Sequence, residues 1–465
     1  MQEVNAAQYV SELIARARKA QKIAEGFSQE MVDKLCAAIT WAAVKEENSK
    51  EVAKLAFEES RMGYYEAKYI KLQKKTRGAL RDIKNQKSVG IIEELPERGL
   101  VKYAKPVGVI GAVAPCTNPE ATPMIKAMFA LKGRNAIIFA PHPRTKKTNA
   151  LICEYMRAAL KKYGAPEDLI IAIEEPTLDI TGELMKQCDL IVSTGGGGLV
   201  KAAYTSGTPA YGVGAGNAVV IIDETADLAD ACEKVMRSKT FDFATSCSAD
   251  NALLIKDSIY DSAVAKLKEN GGYLCSPEEK AKLQEVMFLP DGHLNPKAGL
   301  VAAPPEDIAK AAGFTVPEGT KFIMVEDDGC GADHPFSGEK LSVVLTLYSY
   351  SDFDKAIEFL NDIHEWSGKG HSCGIHSNNL DHINKLAERT YTSRIMVRQP
   401  TSAANSGDWV NGMPFSLSLG CGTWGGNITS DNITWRNMVN ITWVSSPIPA
   451  DIPDDKDLFG DIMND

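Results

Sequence analysis

The spacing of apolar residues divides the chain into a helical first part and a longer remainder of alternating strands and helices. Between Val10 and Ala17, apolar side chains recur at the intervals of one helical face, with polar side chains between them. Residues 5–85 continue in this manner and are rich in Ala, Lys, Glu and Leu. The pattern predicts amphipathic helices that pack on the chain's own domain rather than a signal peptide.

Between residues 135 and 223, short apolar runs alternate with helical stretches. The predicted strands are 136–139, 169–173, 190–193 and 218–223, and the predicted helices include 147–162 and 198–204. Strands that are apolar throughout are typically buried on both faces, as in a parallel sheet covered by helices. The pattern therefore predicts a doubly wound parallel sheet, which binds ligands at the carboxyl ends of its strands.

A second α/β region follows up to about residue 420, and one further strand lies near the C-terminus. Residues 432–444 alternate apolar and polar side chains, which is typical of a half-exposed strand. This strand either pairs with a partner subunit or completes a sheet of its own chain. The acidic segment 449–465 is predicted to be a surface arm.

These patterns predict an α/β protein with two doubly wound parallel-sheet domains and an oligomerisation strand element. The first domain is expected to cover residues 1–228 and the second 229–420. Residues 421–465 would hold a return segment, the oligomerisation strand and the acidic tail, with 90–106 contributing to the oligomerisation element. A chain of 465 residues is long enough for two or three domains.

Composition narrows the possible classes of function. The formal net charge of −10 argues against a nucleic-acid-binding surface, which needs clustered positive charge. No apolar run approaches the ~18 residues of a membrane span. The ten cysteines include no CxxC pair, so neither a metal site nor a disulfide framework is predicted. A reducing cytoplasm is the expected location.

One cysteine lies in a setting that suits chemistry. Cys247 follows a predicted helix at 226–238 and has Thr245, Ser246 and Ser248 as neighbours. A reactive thiol needs such a small, polar environment, because the thiolate must form and a substrate must approach it. A cysteine in a small-residue loop is more often structural, so its role depends on further signals.

Three other segments supply those signals. Residues 114–119 contain Asn118 and follow a buried strand, and residues 193–198 read Ser-Thr-Gly-Gly-Gly-Gly before a helix. Glycines let the backbone approach a bulky ligand, and a helix N-terminus favours a phosphate. Residues 211–217 are also glycine-rich and precede a strand, although Asn217 stands where a GxGxxG fingerprint has its third glycine.

Together and in this order, these segments resemble the aldehyde dehydrogenase superfamily, specifically its CoA-acylating branch. The similarity extends over about residues 5–445. The stretches that carry it are 132–135, 193–195, 211–217, 245–248, 339–342 and 419–426. Within the branch, residues 238–242, 244–248 and 334–342 are most similar to acylating sulfoacetaldehyde dehydrogenases. Acylating succinate-semialdehyde dehydrogenases are close relatives.

The resemblance implies that an aldehyde is oxidised with a nicotinamide cofactor and that the acyl group passes reversibly to CoA. Cys247 would attack the aldehyde carbon, while the Asn118 amide and the Cys247 backbone N–H donate to the developing oxyanion. Hydrolytic relatives carry a glutamate base where residues 212–215 here read Gly-Val-Gly-Ala. Without that carboxylate, a thiol acceptor is favoured over water.

The resemblance also implies a cofactor site. Its expected contacts are Pro115, His142, Pro143, Arg144, Ser193, Thr194, Gly195, Gly212, Val213, Gly214 and Glu339. Glu339 would hold the nicotinamide ribose. Arg144, Lys146 and Lys147, together with the lack of a glutamate nearby in the sequence, favour NADP over NAD.

One residue is a candidate for binding the anionic group of the substrate. Arg398 stands where relatives commonly carry an uncharged residue, and its guanidinium could bind a sulfonate or carboxylate. An equal alternative is that Arg398 makes a structural salt bridge. His371 is interpreted as a packed structural histidine rather than a CoA contact.

Several alternatives remain open on the sequence. Sulfoacetaldehyde is the leading substrate, and succinate semialdehyde, acetaldehyde and propanal are the alternatives. The alternative functions are a non-CoA aldehyde dehydrogenase and an inactive binding protein of the same fold. A homodimer or homotetramer is expected.

Overall fold

The computed structural model describes residues 5–464. The chain begins with four helices, which are α1 (Ala6–Ala24), α2 (Gln29–Val44), α3 (Glu46–Ser60) and α4 (Tyr65–Ile83). Helix α1 starts at Asn5, whose side chain accepts a hydrogen bond from the Gln8 N–H. The predicted apolar face of α1 is buried, so the helical pattern at the start of the chain is confirmed.

Two antiparallel strands, β1 (Gly90–Leu95) and β2 (Leu100–Pro106), separate these helices from the first parallel sheet. The strands of that sheet are β3 (Val109–Ala114), β4 (Ala136–Pro141), β5 (Ile170–Ala172), β6 (Leu190–Thr194) and β7 (Ala210–Val213). The helices among them are α5 (Ala121–Lys132), α6 (Lys146–Lys162), α7 (Leu178–Gln187) and α8 (Gly197–Thr205).

The five strands of the first sheet lie in the order β5-β4-β3-β6-β7, and every neighbouring pair is parallel. The direction of winding therefore reverses between β3 and β6. In open parallel sheets this reversal leaves a crevice at the carboxyl ends of the two strands, where ligands bind.

The second sheet has seven strands in the order β10-β11-β12-β9-β8-β13-β14. They are β8 (Ala218–Ile222), β9 (Asp250–Lys256), β10 (Gly272–Leu274), β11 (Phe322–Glu326), β12 (Val344–Tyr350), β13 (Cys373–His376) and β14 (Ile395–Val397). The helices of this region are α9 (Leu228–Thr240), α10 (Tyr260–Glu269), α11 (Pro277–Met287), α12 (Pro305–Ala311), α13 (Phe353–Trp366), α14 (Leu380–Arg389) and α15 (Thr401–Ala404). All neighbouring strands are parallel, so the second predicted parallel sheet is confirmed.

The segment that joins the two sheets differs from the sequence prediction. The strand predicted at 218–223 continues the first sheet in sequence, but β8 pairs with β9 and β13 of the second sheet. The last strand of the first sheet is instead β7, inside a segment that the sequence presented as a glycine-rich loop. The chain thus changes sheet between Val213 and Ala218, which favours an earlier boundary than residue 228. The domain ranges stay a prediction, and residues 1–4 and 465 lie outside the described part.

The third sheet is antiparallel and contains β1, β2 and β15 (Val439–Ser445) in the order β1-β2-β15. Strand β15 pairs with β2 of its own chain, with Thr442 opposite Tyr103. Of the two interpretations of the C-terminal strand, the structure thus supports a sheet of its own chain. Within the described residues the other edge of β15 has no partner strand, and Trp443 on it is 53% exposed. Pairing with a second subunit stays a prediction.

The segment after β15 lies on the surface. It contains a short helix, α16 (Asp455–Phe459), with no buried residue. Across residues 5–464, every helix is too short or too polar to cross a lipid bilayer.

Candidate active site

A cleft of about 850 Å³ lies where the two parallel sheets face each other. On one side its walls are the loops after β3, β4 and β6 and the end of β7, and on the other side the loop after α9. The crevice predicted between β3 and β6 is part of it. The volume lies in the range of small-molecule and cofactor sites.

The structure brings most of the predicted site residues together on the walls of this cleft. They are Pro115, Asn118, His142, Pro143, Thr194, Gly195, Val213, Gly214, Cys247 and Glu339. Ser193 and Gly212 lie one position earlier on β6 and β7, paired with each other across the sheet. They support the wall without lining it.

Arg144 is close to the cleft but points elsewhere. Its guanidinium donates to the Ser60 carbonyl oxygen at 2.6 Å. Lys146, two residues later, pairs with Glu175 at 2.5 Å. The Glu59 carboxylate accepts from the Thr148 N–H at the start of α6. The sequence therefore suggested a more positive surface than the fold produces, because these acidic partners come from other segments.

The structure does not bring Arg398 to the cleft. This residue follows β14, and its guanidinium donates to the Ser377 carbonyl oxygen at 3.0 Å and to Asn378 Oδ1 at 2.7 Å. The position is on the outer strand of the second sheet. A contact between Arg398 and an aldehyde at Cys247 is therefore not supported. The alternative of a structural residue agrees with these hydrogen bonds, although the partners are neutral.

Cys247 lies after a sharp reversal of the backbone. Asp242, Phe243 and Ala244 have φ values of 53°, 47° and 60°, in the left-handed region that non-glycine residues rarely adopt. Such strain persists where surrounding contacts determine the conformation, and it often marks functional sites. The reversal brings Cys247 against the segment joining the sheets, where a Cβ on Gly216 would lie 1.8 Å from the Cys247 carbonyl oxygen.

A histidine that the sequence analysis treated as structural is the partner of this cysteine. His371 Nε2 lies 3.1 Å from Cys247 Sγ, although 124 residues separate the two. The ring is fully buried, and its Nδ1 is 2.8 Å from Ser372 Oγ. If Nδ1 carries the proton and donates to that hydroxyl, Nε2 is free to accept from the thiol.

The environment keeps both members of this pair neutral. Burial raises the pKa of the Cys247 thiol to about 12. Burial, together with the nearby Arg394 charge, lowers the pKa of His371 to about 3. At neutral pH the site therefore holds a thiol beside a neutral imidazole. This arrangement can move a proton from sulfur to nitrogen when the sulfur attacks an electrophile.

Glu339 lines the cleft beside the segment that joins the two parallel sheets. Its carboxyl group accepts a hydrogen bond from the Gly216 N–H at 3.1 Å. Burial raises the pKa of Glu339 to about 8. The group is thus poised to change its charge near neutral pH while facing the cleft.

Asn118 is held by a buried lysine that the sequence analysis did not single out. Lys71 Nζ donates to Asn118 Oδ1 at 2.5 Å and to Asp242 Oδ2 at 2.6 Å. Lys68 also donates to Asp242, at 2.9 Å. On the sequence these lysines look like the solvated positions of an amphipathic helix, and no local pattern indicates that they are buried.

The walls fit a nicotinamide dinucleotide. They are largely apolar near Pro141 and Leu178, which suits a planar base. A Cβ at Gly196 would meet no atom within 4 Å, so a bulky group can approach the backbone at the N-terminus of α8. In the described part of the chain Ser193 Oγ is buried without a hydrogen-bond partner.

Comparison with known proteins agrees with this site. The sequence model of the aldehyde dehydrogenase family matches residues 2–274, which is more than half of the chain. The chain belongs to the aldehyde dehydrogenase family. Sulfoacetaldehyde dehydrogenase of Acholeplasma sp is 46% identical over 452 residues, covering 97% of this chain and 93% of that protein. The acylating sulfoacetaldehyde dehydrogenase of Bilophila wadsworthia is also 46% identical, with 97% and 98% coverage.

The fold is shared with a solved structure from the same family. An acetylating aldehyde dehydrogenase from Geobacillus thermoglucosidasius superposes with a TM-score of 0.93 at 38% identity, covering 98% of this chain and all of that one. The predicted aldehyde dehydrogenase-like fold is therefore confirmed.

The carboxylates that line the cleft are the candidate general bases of this aldehyde dehydrogenase besides His371. Residues 213–215 line the cleft without a carboxylate, as their sequence requires. Among the described residues, the acidic side chains that line it are Glu339 and Asp408. Asp408 pairs with Lys74 at 2.7 Å, and Glu339 accepts from a backbone N–H. The site thus offers His371 as the basic group next to Cys247.

Proposed function

We propose that this chain oxidises an aldehyde with a nicotinamide cofactor, holds the acyl group as a thioester on Cys247 and passes it reversibly to CoA. The observation that carries the proposal is the 3.1 Å contact between Cys247 Sγ and Nε2 of the buried His371. Cys247 lines a cleft that fits a dinucleotide. The similarity to an enzyme named as acylating supports CoA as the acceptor.

The first step is the attack of Cys247 on the aldehyde carbon. His371 Nε2 takes the thiol proton as the carbon–sulfur bond forms, so a free thiolate is not needed despite the raised thiol pKa. The Asn118 amide and the Cys247 backbone N–H donate to the aldehyde oxygen as its charge develops. In other enzymes one such donor contributes about 3–4 kcal/mol to the stability of the transition state.

The nicotinamide cofactor, when bound, supplies the oxidising chemistry by accepting a hydride from the substrate carbon. Glu339 would accept hydrogen bonds from the nicotinamide ribose, and Pro115, Thr194, Gly195, Val213 and Gly214 would form the walls around the cofactor. His142 and Pro143 follow β4 and would contact the adenosine part. Ser193 and Gly212 would shape the wall from behind.

Acyl transfer completes the reaction. The CoA thiol attacks the Cys247 thioester carbonyl, and the same oxyanion donors are used. After the proton of the first step has left His371 for solvent, His371 can accept the proton of the incoming thiol and pass it to the Cys247 sulfur as that bond breaks. One thioester replaces another, so the transfer is reversible. Water would need a stronger base than a thiol does, and residues 212–215 provide none.

The leading substrate is sulfoacetaldehyde, and its anionic group needs a cationic partner. Four basic residues line the cleft, which are Lys71, Lys74, Lys75 and Arg237. The three lysines have close internal acceptors at 2.9 Å or less. Arg237 instead has Glu233 at 3.7 Å and a side chain that is 60% exposed. We therefore assign the sulfonate contact to Arg237 rather than to Arg398.

The choice of cofactor depends on the adenosine end. The preference for NADP rests on the positive charge of Arg144 and Lys147, which Glu59 partly offsets through its contacts at the start of α6. Initial rates with NAD and with NADP at equal concentration test this preference. A homodimer or homotetramer remains part of the proposal, and the exposed edge of β15 supports it. A cytoplasmic location also remains part of the proposal.

The function is tested with a panel of aldehydes. Sulfoacetaldehyde, succinate semialdehyde, acetaldehyde and propanal are assayed for NAD(P)H formation with and without CoA. We expect steady turnover only with CoA, and at most one NAD(P)H per subunit without it. Steady turnover without CoA would show a hydrolytic enzyme. The absence of any reduction with all four aldehydes would leave a binding protein of the same fold.

A further inference from the structure

We infer that Lys71 is a positioning residue that fixes the orientation of the Asn118 amide and so presents its NH₂ group to the reacting oxygen. The inference rests on the proposed function, because it concerns the oxyanion donor of that reaction. Lys71 lies on α4, which precedes both sheets, and its side chain reaches the wall of the cleft.

The ammonium group of Lys71 determines which atom of the Asn118 amide faces it. Lysine can only donate hydrogen bonds, so the atom of Asn118 that faces Lys71 Nζ at 2.5 Å must be the oxygen. The amide nitrogen then points the other way. Its one contact within the described residues is with Thr117 Oγ1 at 3.3 Å. One N–H of Asn118 thus remains available to a substrate oxygen in the cleft.

Lys71 is itself held in place by the groups around its ammonium. Besides Asn118, its Nζ has Asp242 Oδ2 at 2.6 Å and Glu120 Oε1 at 3.3 Å. Burial alone would lower the pKa of Lys71, but these two carboxylates raise it above its usual value. The ammonium therefore stays charged. It donates hydrogen bonds to Asn118 and Asp242, and the Glu120 carboxylate lies within ion-pair distance.

Asp242 connects the oxyanion donor to the nucleophile. Thr245 Oγ1 donates to Asp242 Oδ2 at 2.6 Å, two residues before Cys247. The Tyr64 N–H donates to the other oxygen of Asp242 at 3.1 Å. Space for this carboxylate depends on Gly63, where a Cβ would lie 1.7 Å from Asp242 Oδ1. One buried carboxylate thus holds the cysteine loop directly and Asn118 through Lys71.

A competing role for Lys71 is direct binding of the substrate anion, since it lines the cleft. Asn118 and Asp242 accept two of its N–H groups, so a sulfonate would have to compete with the nearby Glu120 carboxylate for the third. The two roles predict different kinetics. A positioning residue affects kcat for charged and neutral aldehydes alike, whereas an anion-binding residue affects KM for the charged aldehyde alone.

The test is a double-mutant cycle of Lys71→Met and Asn118→Ala, assayed in the full chain with CoA and cofactor. We expect Lys71→Met to lower kcat by about 10- to 100-fold and Asn118→Ala by about 100- to 1,000-fold. If Lys71 acts through Asn118, the double variant is no slower than Asn118→Ala alone. Multiplication of the two single effects would overturn the inference.

Two further measurements separate positioning from loss of structure. Alkylation of Cys247 by iodoacetamide needs no oxyanion donor, so its rate should stay within twofold of wild type in Lys71→Met. A rise in KM for sulfoacetaldehyde that propanal does not share would identify an anion-binding residue and overturn the inference. Lys132→Met is the matched control, because Lys132 is also fully buried and paired with Asp33 but lies outside the cleft. It should keep wild-type kcat.

If Lys71→Met does not fold, Lys71→Gln takes its place in the cycle. Glutamine can donate or accept and so cannot impose one orientation on the Asn118 amide, and kcat should still fall by about tenfold. A wild-type kcat in this variant would overturn the inference. Inactive wild-type protein with every aldehyde would refute the proposed function, and with it this role of Lys71. Active wild type with multiplicative effects would refute this role alone.

Discussion

The two ends of the cleft are lined by different kinds of residue. The end formed by the strands of the first sheet is lined mainly by glycine, proline, threonine and apolar side chains, with Asn118 and His142 among the uncharged polar ones. The six charged residues of the wall, within the described part of the chain, all lie elsewhere. They are Lys71, Lys74, Lys75, Arg237, Glu339 and Asp408.

This difference indicates a division of labour. A dinucleotide can be held by backbone N–H groups, a helix N-terminus and flat apolar walls, none of which needs a charged side chain. A reaction that develops charge on oxygen and moves protons needs polar groups held in fixed positions. Substitutions of the groups that attack the aldehyde, donate to its oxygen or move protons should therefore lower kcat. Substitutions of groups that bind the cofactor or the substrate anion should raise the corresponding KM.

The largest effect is expected at the nucleophile. Cys247→Ala should reduce CoA-dependent aldehyde oxidation by more than about a thousandfold, because Cys247 is the cleft cysteine whose sulfur contacts His371. The thermal unfolding midpoint and cofactor binding should change little. Cys275→Ala is the control, because Cys275 is also partly exposed but does not line the cleft. Activity retained by Cys247→Ala would contradict the mechanism.

The second effect concerns the base. His371→Asn should lower kcat by about 100- to 1,000-fold, because the thiol must then ionise without help. His371 has a pKa of about 3 and is neutral across pH 6–9, so wild-type acylation should not depend on its ionisation there. In the variant the rate should rise nearly tenfold per pH unit, since the thiolate fraction grows toward the Cys247 pKa of about 12.

The measurement is the pH dependence of single-turnover NAD(P)H formation in both proteins. His376→Asn is the matched control, because His376 is likewise buried, whereas the histidine hydrogen-bonded to Cys247 is His371. A wild-type pH profile in His371→Asn would show that another group removes the thiol proton. It would return His371 to the structural role inferred from the sequence.

The same two ends differ in how far the sequence predicted them. The cofactor end is formed by loops that directly follow apolar strands, so local pattern located the loops that hold Asn118, His142 and Thr194. The roles of these residues were implied by the family resemblance. Strand β7 was missed because it is four residues long and contains Gly212. Strand β8 was given to the wrong sheet because an apolar run does not specify its neighbours.

The reaction end depends on contacts between distant residues, which one sequence does not reveal. His371 lies 124 residues from Cys247, and Lys71 lies 171 residues from Asp242. Buried lysines are a second reason. Lys126 also looks like an exposed helical residue, yet its Nζ donates to the Val113 carbonyl oxygen at 2.8 Å. Which lysines are buried is decided by the packing of sheets and helices.

A third effect tests the charged end for substrate selection. Arg237→Met should raise KM for sulfoacetaldehyde by about tenfold, the value of one charge-assisted hydrogen bond, and leave KM for propanal within about twofold. Arg398→Met removes the same group from a position outside the cleft and should change neither value. The reverse result would support the contact predicted from the sequence. Equal effects of Arg237→Met on both aldehydes would show that Arg237 does not select anions.

The smallest effect is expected where the two ends meet, at Glu339. Burial raises its pKa to about 8, so the carboxyl group is mostly neutral at pH 7 and mostly ionised at pH 9. Ribose hydroxyls donate more strongly to a carboxylate than to a carboxylic acid. The cofactor KM of wild type should therefore fall about three- to tenfold as pH rises through 8.

Glu339→Gln removes this titration but keeps an acceptor oxygen of similar size. Its cofactor KM should be independent of pH from 7 to 9 and close to the wild-type value at pH 7, while kcat changes by less than about threefold at pH 7. Glu365→Gln, an exposed glutamate outside the cleft, should leave the wild-type pH dependence intact. A Glu339→Gln enzyme whose KM still falls with rising pH would assign the titration to another group. A large loss of kcat in Glu339→Gln would show that Glu339 takes part in the reaction as well as in cofactor binding.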